Sequence, residues 1–430
     1  MQQQCVHTTK ILGKSPARSS IDTYGVRGTI AAAPWRVNNT KDLLASAETY
    51  IDGRIMTAFM NFGIDTHGGE REGEGNSTYT RNLCRSLVEL DGDDTFTLFA
   101  GDPGHSFYRS LSATPRFRVR AVAQHGGLGR ILWALALAAA RERLDALHVQ
   151  YFAPLAYAGP VVVVVHDLSF LHVASSPPGL RLALRVLVPW SVRRAARVIT
   201  PSEFTRRDLE ARYRVAPERI RVTGYGVSGR FRQVPDTAIR AVLTRYGLEP
   251  GFIFSVGRLN RRKNLGALLR AFAMLQARGR TDLRLVIAGK VDYGVEELLR
   301  TFRDSGTSSR VRWIGAIPDD DLPAFYAGAT CFVYPSLFEG FGLPLLEAMA
   351  CGCPVVSSDR TSCPEVVGPA GLLVDPEDVT AIADAIARIA DDEALRADLR
   401  DRGLARSRTF TWEESARRTL GVLREAAGRG

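Results

Sequence analysis

Two glutamates eight residues apart flank a glycine-containing loop in the stretch SLFEGFGLPLLEAMACGCPVV. Glu339 belongs to the loop, whereas Glu347 lies about one turn inside the helix that LPLLEAMAC predicts, because Pro344 is tolerated in a first helical turn. With this spacing the carboxylates do not lie side by side, so a pair that shares one proton is not expected. They are instead placed to hold the two ends of one ligand.

The loop between the glutamates is suited to binding an anion. A helix N-terminus presents free N–H groups and the positive end of a dipole, and Gly340 and Gly342 allow backbone to approach a ligand closely. Carboxylates accept hydrogen bonds from sugar hydroxyls, so a ligand with hydroxyls on both sides of a diphosphate fits, as in a nucleotide sugar. Two purely structural glutamates, one in a loop and one on a solvated helix face, are the alternative.

Basic residues follow the first strand of the second half, in GRLNRRKN. Arg258 and Lys263 lie between a strand end and a helix start, where two cations can neutralise a diphosphate and stabilise the charge on a departing nucleotide. Arg261 and Arg262 are competing cations in the same segment. A solvated basic turn is the alternative interpretation.

Two further features point to the same region. His166 follows a run of five valines and precedes Asp167, which places it at the carboxyl edge of a buried strand, where α/β proteins bind ligands. Gly73 and Gly75, in GEREGEGNSTYTRNL, precede a helix and predict a loop that closes over phosphates or acceptor. Alone, each pattern is also compatible with a structural role.

The elements that must position these residues alternate between strand and helix along the chain. This alternation predicts α/β architecture, with two doubly wound, Rossmann-like domains that face a cleft. We predict a first strand over Met56–Ile64 and thirteen strands in all. The predicted organisation is a disordered or added extension over 1–54, an acceptor-side domain over 55–235, a donor-binding domain over 236–411, and a final helix, 412–427, that packs back on the first domain.

The combined motifs resemble those of the retaining, nucleotide-sugar-dependent glycosyltransferases of the GT-B architecture, the family 4 or group 1 type. The resemblance extends from about Met56 to the C-terminus. The motifs, especially HDLSFLH, are similar to those of bacterial polysaccharide and lipopolysaccharide mannosyltransferases. The resemblance is carried by the E-x7-E stretch and by the segments FIFSVGRLNRRKNLGALLRAF, GAIPDDDLPAFYAGATCFVYPS, GLLVDPED, VVVVVHDLSFLH and RVITPSEFTRRDL.

The resemblance implies hexosyl transfer from a nucleotide sugar to an acceptor hydroxyl, with retention at the anomeric carbon and with the leaving phosphate helping to take the acceptor proton. GDP-mannose is the first expected donor and a UDP-sugar the second, in polysaccharide, lipopolysaccharide or glycolipid synthesis. His166, Glu339, Arg258 and Lys263 are the implied catalytic residues. The implied donor-binding residues are Gly73, Gly75, Arg258, Lys263, Glu339, Gly340, Phe341, Gly342, Leu343 and Glu347.

The resemblance also implies that no metal or other cofactor is needed. The acidic clusters DGDD (91–94) and PDDD (318–321) are interpreted as a turn and a helix cap. One motif departs from the family pattern. Where relatives often have Asn-Gly in an I-P-N-G-V turn, this chain has VTGYGVSGRF, so Tyr225 occupies the Asn position and the contacts of that Asn are not carried over.

Composition limits the partners and the compartment. The formal net charge is +10, but the arginines are dispersed and no nucleic-acid motif is present, so an anionic membrane surface or a phosphorylated substrate is favoured. Six scattered cysteines predict a reducing compartment, hence a cytoplasmic protein, with peripheral contact at the inner membrane face as a further possibility. That contact is suggested by the mixed apolar and basic stretch 180–198, with Arg181, Arg185, Arg193, Arg194 and Arg197.

Two other functional classes stay open at this point. A Rossmann-type enzyme that modifies nucleotide sugars or uses NAD requires a glycine fingerprint after the first strand and an acid after the second, and this chain meets both poorly. A non-catalytic nucleotide-sugar-binding relative would be expected to lack Glu339, Arg258 or Lys263, which are all present.

Overall fold

The computed structural model describes residues 49–51, 54–56, 59–71, 75–111, 114–122, 127–174, 176–292, 298, 300 and 309–428. The chain divides into two compact units, Met1–Ala58 and Phe59–Gly430. In the first unit, β1 (Thr49–Ile51) pairs with β2 (Arg54–Met56) in an antiparallel hairpin. The rest of the expected extension over 1–54 lies outside the described residues.

The second unit contains two parallel sheets, which confirms the predicted α/β class with two Rossmann-like halves. The first half is built on the sheet of strands β3 to β9, and the second half is built on the sheet of strands β10 to β15. The first sheet has the order β5-β4-β3-β6-β7-β8-β9. Its strands are β3 (Asn61–Asp65), β4 (Thr95–Ala100), β5 (Phe117–Ala121), β6 (Ala146–Gln150), β7 (Val161–Val164), β8 (Arg197–Thr200) and β9 (Ile220–Val222). All four valines of β7 are completely buried, as expected for a parallel strand covered on both faces.

The second sheet has six strands in the order β12-β11-β10-β13-β14-β15. The strands are β10 (Phe252–Val256), β11 (Leu285–Ala288), β12 (Val311–Trp313), β13 (Ala329–Tyr334), β14 (Val355–Ser358) and β15 (Gly371–Val374). In both sheets the order reverses next to the first strand, at β3 and at β10, and such switch points are where open α/β sheets bind ligands.

Helices connect the strands and cover the sheets. In the first half they are α1 (Gly75–Glu89), α2 (Ser106–Leu111), α3 (Gly127–Gly129, a π-helical Arg130–Ala134 and Leu135–Arg141), α4 (Ser169–His172), α5 (Pro178–Arg194) and α6 (Glu203–Tyr213). The remaining helices are α7 (Asp236–Arg245), α8 (Leu265–Ala277), α9 (Leu322–Gly328), α10 (Leu343–Ala350), α11 (Cys363–Val367), α12 (Val379–Asp391), α13 (Glu393–Ser407) and α14 (Trp412–Ala426).

The predicted strand over Met56–Ile64 was wrong at its start. The strand begins at Asn61, because side chains take the backbone donors there: the N–H of Met60 donates to Asp94 at 3.1 Å, and that of Asn61 to Asp145 at 2.8 Å. Met60 lies before the first paired residue of β3, although its carbonyl oxygen still accepts the N–H of Thr95 in β4 at 2.8 Å, and Met56 belongs to β2.

The last helix, α14, lies against α1 and against β6, β7 and β8 of the first sheet. Its start approaches the segment that follows β9 so closely that a β-carbon at Gly226 would come within 2.0 Å of the backbone nitrogen of Trp412. Trp412 stacks on Tyr225 with ring centres 5.5 Å apart. The end of the chain thus fixes the segment that leads from the first sheet to the second.

One buried apolar cluster is shared by the two halves. It includes Phe62 and Leu98 from the first sheet, Phe254 and Phe332 from the second, and Phe341 from the loop before α10. Apolar packing of this kind is non-directional and scales with buried area, so it holds the halves together without fixing the polar groups at the cleft. Hydrogen bonds and ion pairs determine how those groups are arranged.

Candidate active site

A cleft of about 350 Å³ lies where the carboxyl ends of strands from both sheets meet. The first half contributes the start of α1 and the segments that follow β7 and β9, and the second half contributes the segments that follow β10 and β13. The cleft is lined by Gly75, Asn76, Thr78, His166, Asp167, Tyr225, Gly257, Arg258, Arg262, Lys263, Asp319, Leu322, Tyr334, Glu339, Gly340, Phe341, Gly342, Leu343, Pro344 and Glu347.

Glu339 is bound by two cations at the centre of this cleft. The Nζ of Lys263 donates to its Oε1 at 2.7 Å, and a guanidinium nitrogen of Arg262 donates to its Oε2 at 2.9 Å. Only 5% of Glu339 is exposed. Burial alone would raise the pKa of this carboxyl group, but Arg262 and Lys263 outweigh it and hold the pKa below its ordinary value, so Glu339 is ionised near neutral pH.

The two cations differ in their remaining partners. Lys263 also donates to the hydroxyl of Tyr334, and burial lowers the pKa of its ammonium group against the opposing effect of Glu339. Arg262 lies 3.6 Å from Asp167 of the first half, and Glu339 and Asp167 together hold its pKa above the ordinary value despite burial. The site therefore combines positive groups with low solvent exposure, a setting in which charge interactions are strong.

The loop after Glu339 is fixed by contacts on both sides. A β-carbon at Gly340 would come within 1.8 Å of the carbonyl oxygen of His166, so only glycine fits there. Gly342 has φ +108°, a left-handed conformation that favours glycine, and α10 begins immediately after it. The hydroxyl of Ser362 lies 2.9 Å from the carbonyl oxygens of both Glu339 and Phe341, which fixes the loop from the second half.

His166 lines the cleft, but both of its ring nitrogens have partners within the protein. Its Nε2 lies 2.6 Å from Oε1 of Gln150, and its Nδ1 contacts the hydroxyl of Tyr225. Because an amide oxygen only accepts, Nε2 carries the proton and Nδ1 accepts from Tyr225. Burial and the neighbouring His148 lower the pKa of His166 to about 3, so the ring is neutral at physiological pH.

Glu347 lies on α10, at the opposite end of the loop from Glu339. Its Oε2 accepts a hydrogen bond from the hydroxyl of Tyr326 at 2.9 Å. Burial raises the pKa of Glu347 to about 7, although the Tyr326 hydrogen bond opposes the shift. The two glutamates of the motif are thus in opposite electrostatic settings, one ionised between cations and one close to half-protonated at neutral pH.

Most of the residues predicted for the site lie in this cleft. Gly75, His166, Arg258, Lys263, the segment 339–343 and Glu347 all line it. Gly73 is outside the described residues. Arg258 is 52% exposed and lies 3.5 Å from Asp292, at the edge of the cleft. Among the competing cations, Arg261 lines a separate cavity.

Sequence reasoning did not single out Arg262 or Gln150, and noted Tyr225 only as a departure. No pattern in RRK predicts that Arg262 faces Glu339 and that Arg261 does not. The direction of each side chain depends on the single turn of 3-10 helix over Arg261–Lys263. Gln150 ends β6, next to β7, so its place at a strand end was an available signal.

The acidic clusters have structural partners. Asp94 pairs with Arg424 at 2.7 Å, and Asp321 accepts from Arg245 and from the hydroxyl of Tyr246, both at 2.6 Å. Within the part of the chain that the structure describes, no group of three or more His, Cys, Asp and Glu side chains is arranged to hold a metal ion. No helix in that part is long and apolar enough to cross a bilayer.

Comparison with known proteins agrees with this architecture. Residues 74–228 match the family model described as Glycosyltransferase Family 4, and residues 242–406 match the model described as Glycosyl transferases group 1. The O-antigen chain mannosyltransferase B of Escherichia coli is 34% identical over 265 residues, which covers 61% of this chain and 70% of that protein. The serotype-specific mannosyltransferase WbdA of Escherichia coli is 36% identical over 206 residues, but the chain covers only 25% of its length.

Solved structures share the fold at low sequence identity. Sucrose-phosphate synthase from Thermosynechococcus elongatus superposes with a TM-score of 0.69 at 24% identity, covering 86% of this chain and 99% of that one. The HepE protein of Anabaena, solved with UDP and glucose, has a TM-score of 0.67 at 20% identity and covers 85% of this chain and all of its own. The two matched family models and the O-antigen chain mannosyltransferase B of Escherichia coli show that the chain belongs to glycosyltransferase family 4, and the solved structures show the GT-B architecture.

Proposed function

We propose that this glycosyltransferase moves a hexose, with mannose the first choice, from a nucleotide sugar to an acceptor hydroxyl and retains the anomeric configuration. The observation that carries the proposal is the pairing of Glu339 with Lys263 and Arg262 beside the start of α10. The cations and the helix N-terminus suit a diphosphate, Glu339 suits hydroxyls of the sugar, and Glu347 suits those of the ribose. Mannose as the sugar is supported by the names of the Escherichia coli relatives, and polysaccharide synthesis by the first of them.

The proposed reaction depends mainly on positioning and on charge stabilisation. As the bond between the sugar and the diphosphate breaks, negative charge grows on the leaving phosphate, and Lys263 and Arg258 stabilise it. His166 is neutral and both of its ring nitrogens are occupied, which disfavours it as a base. The acceptor oxygen then bonds to the anomeric carbon on the face that the phosphate leaves and gives its proton to that phosphate, so the anomeric configuration is retained. No metal or other cofactor is required in this scheme.

The proposed function predicts one preferred donor and one anomer. Purified protein incubated with a panel of GDP- and UDP-sugars and a mannose-terminated oligosaccharide should release nucleotide fastest from GDP-mannose. Proton NMR of the product should show an α-linkage from the α-configured donor. A β-linked product, or NAD-dependent chemistry without transfer of sugar from any nucleotide sugar, would contradict the proposal.

The variant Glu339→Gln should lose at least about a hundredfold in turnover, since a fixed charge beside the reacting sugar is removed.

The raised pKa of Glu347 predicts a pH-dependent donor affinity. Ribose hydroxyls donate best to the ionised carboxylate, so binding lowers the pKa of Glu347 and is favoured when the group is already ionised. With a pKa of about 7 in the free protein, affinity for a nucleotide sugar should fall by about tenfold from pH 8 to pH 6. A nucleotide sugar is the right probe, because its diphosphate has no terminal phosphate that titrates in this range.

Isothermal titration at several pH values measures this effect. In Glu347→Gln the affinity should be low and independent of pH, whereas Glu393→Gln, a change on the exposed start of α13, should keep the wild-type profile. An unchanged pH profile in Glu347→Gln would mean that Glu347 does not bind the donor.

We also propose that the first half contacts an anionic membrane through an apolar surface made by α3, α5 and the loop between β6 and β7. Trp133 and Leu137 of α3 are 56% and 63% exposed, and Leu182 and Val186 of α5 are 65% and 60% exposed. The intervening loop joins the two helices, since the N–H of Leu155 donates to a carbonyl of α3 and that of its neighbour Ala153 to a hydroxyl of α5.

The cations of this surface are fewer than the sequence suggested. Arg194 donates to the carbonyl oxygens of Tyr157 and Gly159, and Arg197 pairs with Glu425, so these two arginines are engaged within the protein. Exposed cations beside the apolar side chains are contributed by α5, with Arg185 and Arg193 exposed and Arg181 partly so. Each cation near an anionic surface contributes about 1 kcal/mol.

Cosedimentation with vesicles tests the membrane proposal. The protein should sediment with vesicles that contain anionic lipid at low salt and less so at high salt. Trp133→Ser with Leu182→Ser should abolish binding, and Arg185→Gln with Arg193→Gln should weaken it severalfold. Leu373→Ser with Arg240→Gln, exposed changes in the second half, should bind like the wild type. Absence of binding at low salt would end the proposal.

A further inference from the structure

The N-terminal turn of α6 contacts the loop that carries Glu339, although the two belong to different halves of the protein. The hydroxyl of Ser202 donates to the carbonyl oxygen of Gly340 at 2.7 Å, and that of Thr205 reaches the same oxygen at 3.2 Å. Both residues are at least 97% buried, since their exposed fractions are 3% and 1%. One carbonyl in the active-site loop thus has two hydroxyl donors from the opposite half.

The same turn also donates backbone hydrogen bonds to a carboxylate of the second half. The carboxylate of Glu365, on α11, accepts the backbone N–H groups of Glu203 at 2.9 Å and Phe204 at 2.6 Å. These are first-turn donors that have no partner inside a helix, and a carboxylate at a helix N-terminus is further favoured by the helix dipole. Within α6 itself, Ser202 caps the helix by accepting the N–H of Thr205 at 3.1 Å.

An aromatic contact sits beside these hydrogen bonds. Phe338, the residue before Glu339, is 4% exposed and lies between two rings of the first half. It stacks on His172 with ring centres 4.5 Å apart and meets Phe204 edge-on at 5.4 Å. The residues on both sides of Glu339, Phe338 and Gly340, are therefore seated on the first half.

We infer that Ser202 and Thr205 are positioning residues for the reaction, which fix the Glu339 loop only when the two halves are seated against each other. The Glu339 side chain is anchored in the second half by Lys263 and Arg262, and its backbone N–H and C=O are bound there by the hydroxyls of Thr361 and Ser362, while the carbonyl of the next residue, Gly340, is anchored in the first half. A nucleotide bound by the second half alone would meet a Glu339 loop that lacks the first-half contacts of Phe338 and Gly340. The site is complete when the start of α6 packs against the Glu339 loop. Loss of the two hydroxyls is therefore expected to lower kcat and to leave the affinity for nucleotide unchanged. The inference rests on the role proposed for Glu339.

Variants at the two positions separate positioning from simple stability. Thr205→Val keeps the shape and the capped N–H but removes the hydroxyl, and Thr205→Ser keeps the hydroxyl. Ser202→Ala removes the stronger contact but also the helix cap. Its matched control is Asp392→Ala, which removes the equivalent cap of α13, where Asp392 accepts the N–H of Leu395 at 2.9 Å on an exposed surface.

The expected result is a fall in kcat of at least about tenfold in the double variant Ser202→Ala with Thr205→Val. The Kd for nucleoside diphosphate should change less than twofold, and Thr205→Ser should recover most of the rate lost in Thr205→Val. Asp392→Ala should lose about as much thermal stability as Ser202→Ala, with no change in kcat. A double variant with kcat within twofold of the wild type, or one whose loss appears in nucleotide affinity, would overturn the inference.

Hydrogen exchange gives a readout that does not depend on the transfer reaction. Peptides that span 337–343 should exchange faster in Thr205→Val than in the wild type without any donor present. If the wild type proves inactive with all sugar donors while this difference is found, the proposed function fails and the seating contact stands. Equal exchange in the two proteins would refute the contact itself.

Discussion

A buried carboxylate with two cationic partners is the interaction on which the rest of the site depends. Taking the charge of Glu339 out of water costs several kcal/mol, and Lys263 and Arg262 offset this cost because each donates a direct hydrogen bond. The side chains of Lys263 and Arg262 are only 11% and 19% exposed, and Arg262 is shared with Asp167. The arrangement keeps Glu339 ionised and keeps positive charge at the base of the cleft, where a diphosphate is proposed to bind.

The position of that carboxylate is determined by both halves of the molecule. Gly340 lies against the carbonyl of His166, and its own carbonyl accepts hydroxyls from the start of α6. Tyr225 provides a second connection, since it contacts His166 in the first half and its ring centre lies 5.0 Å from that of Phe341 in the loop after Glu339. The contacts that close the cleft are thus polar and specific, whereas the shared apolar cluster contributes area without direction. In the role proposed for Ser202 and Thr205, nucleotide binds to one half and reaction requires both halves to be seated.

The sequence predicted the fold class, because parallel strands buried on both faces leave long apolar runs between helical segments. It predicted less well where side chains replace backbone partners. The strand expected from Met56 starts at Asn61, where Asp94 and Asp145 accept the backbone N–H groups of Met60 and Asn61. The strand expected to reach His166 ends at Val164, and His166 lies beyond it in the cleft.

Within the site, the motif residues were predictable and their partners were not. The spacing of Glu339 and Glu347 and the glycines between them follow from local helix and loop chemistry. The choice of Arg262 over Arg261 depends on one helical turn, and the two hydroxyls on Gly340 come from residues more than 130 positions earlier in the chain. Likewise, the low exposure of His166 and its bond to Tyr225 arise only when β7, the segment after β9 and α14 are packed together.

Calorimetric titration of Lys263→Met tests the proposal that the cations around Glu339 bind the diphosphate of the donor. The quantity to measure is the ratio of affinities for a nucleoside diphosphate and the matching nucleoside monophosphate, at one fixed pH, with Arg261→Met as the control because Arg261 faces another cavity. If these cations bind the diphosphate, the preference for the diphosphate should fall about tenfold or more in Lys263→Met and be unchanged in Arg261→Met. A preference that survives in Lys263→Met, or is lost equally in both variants, would contradict the proposal.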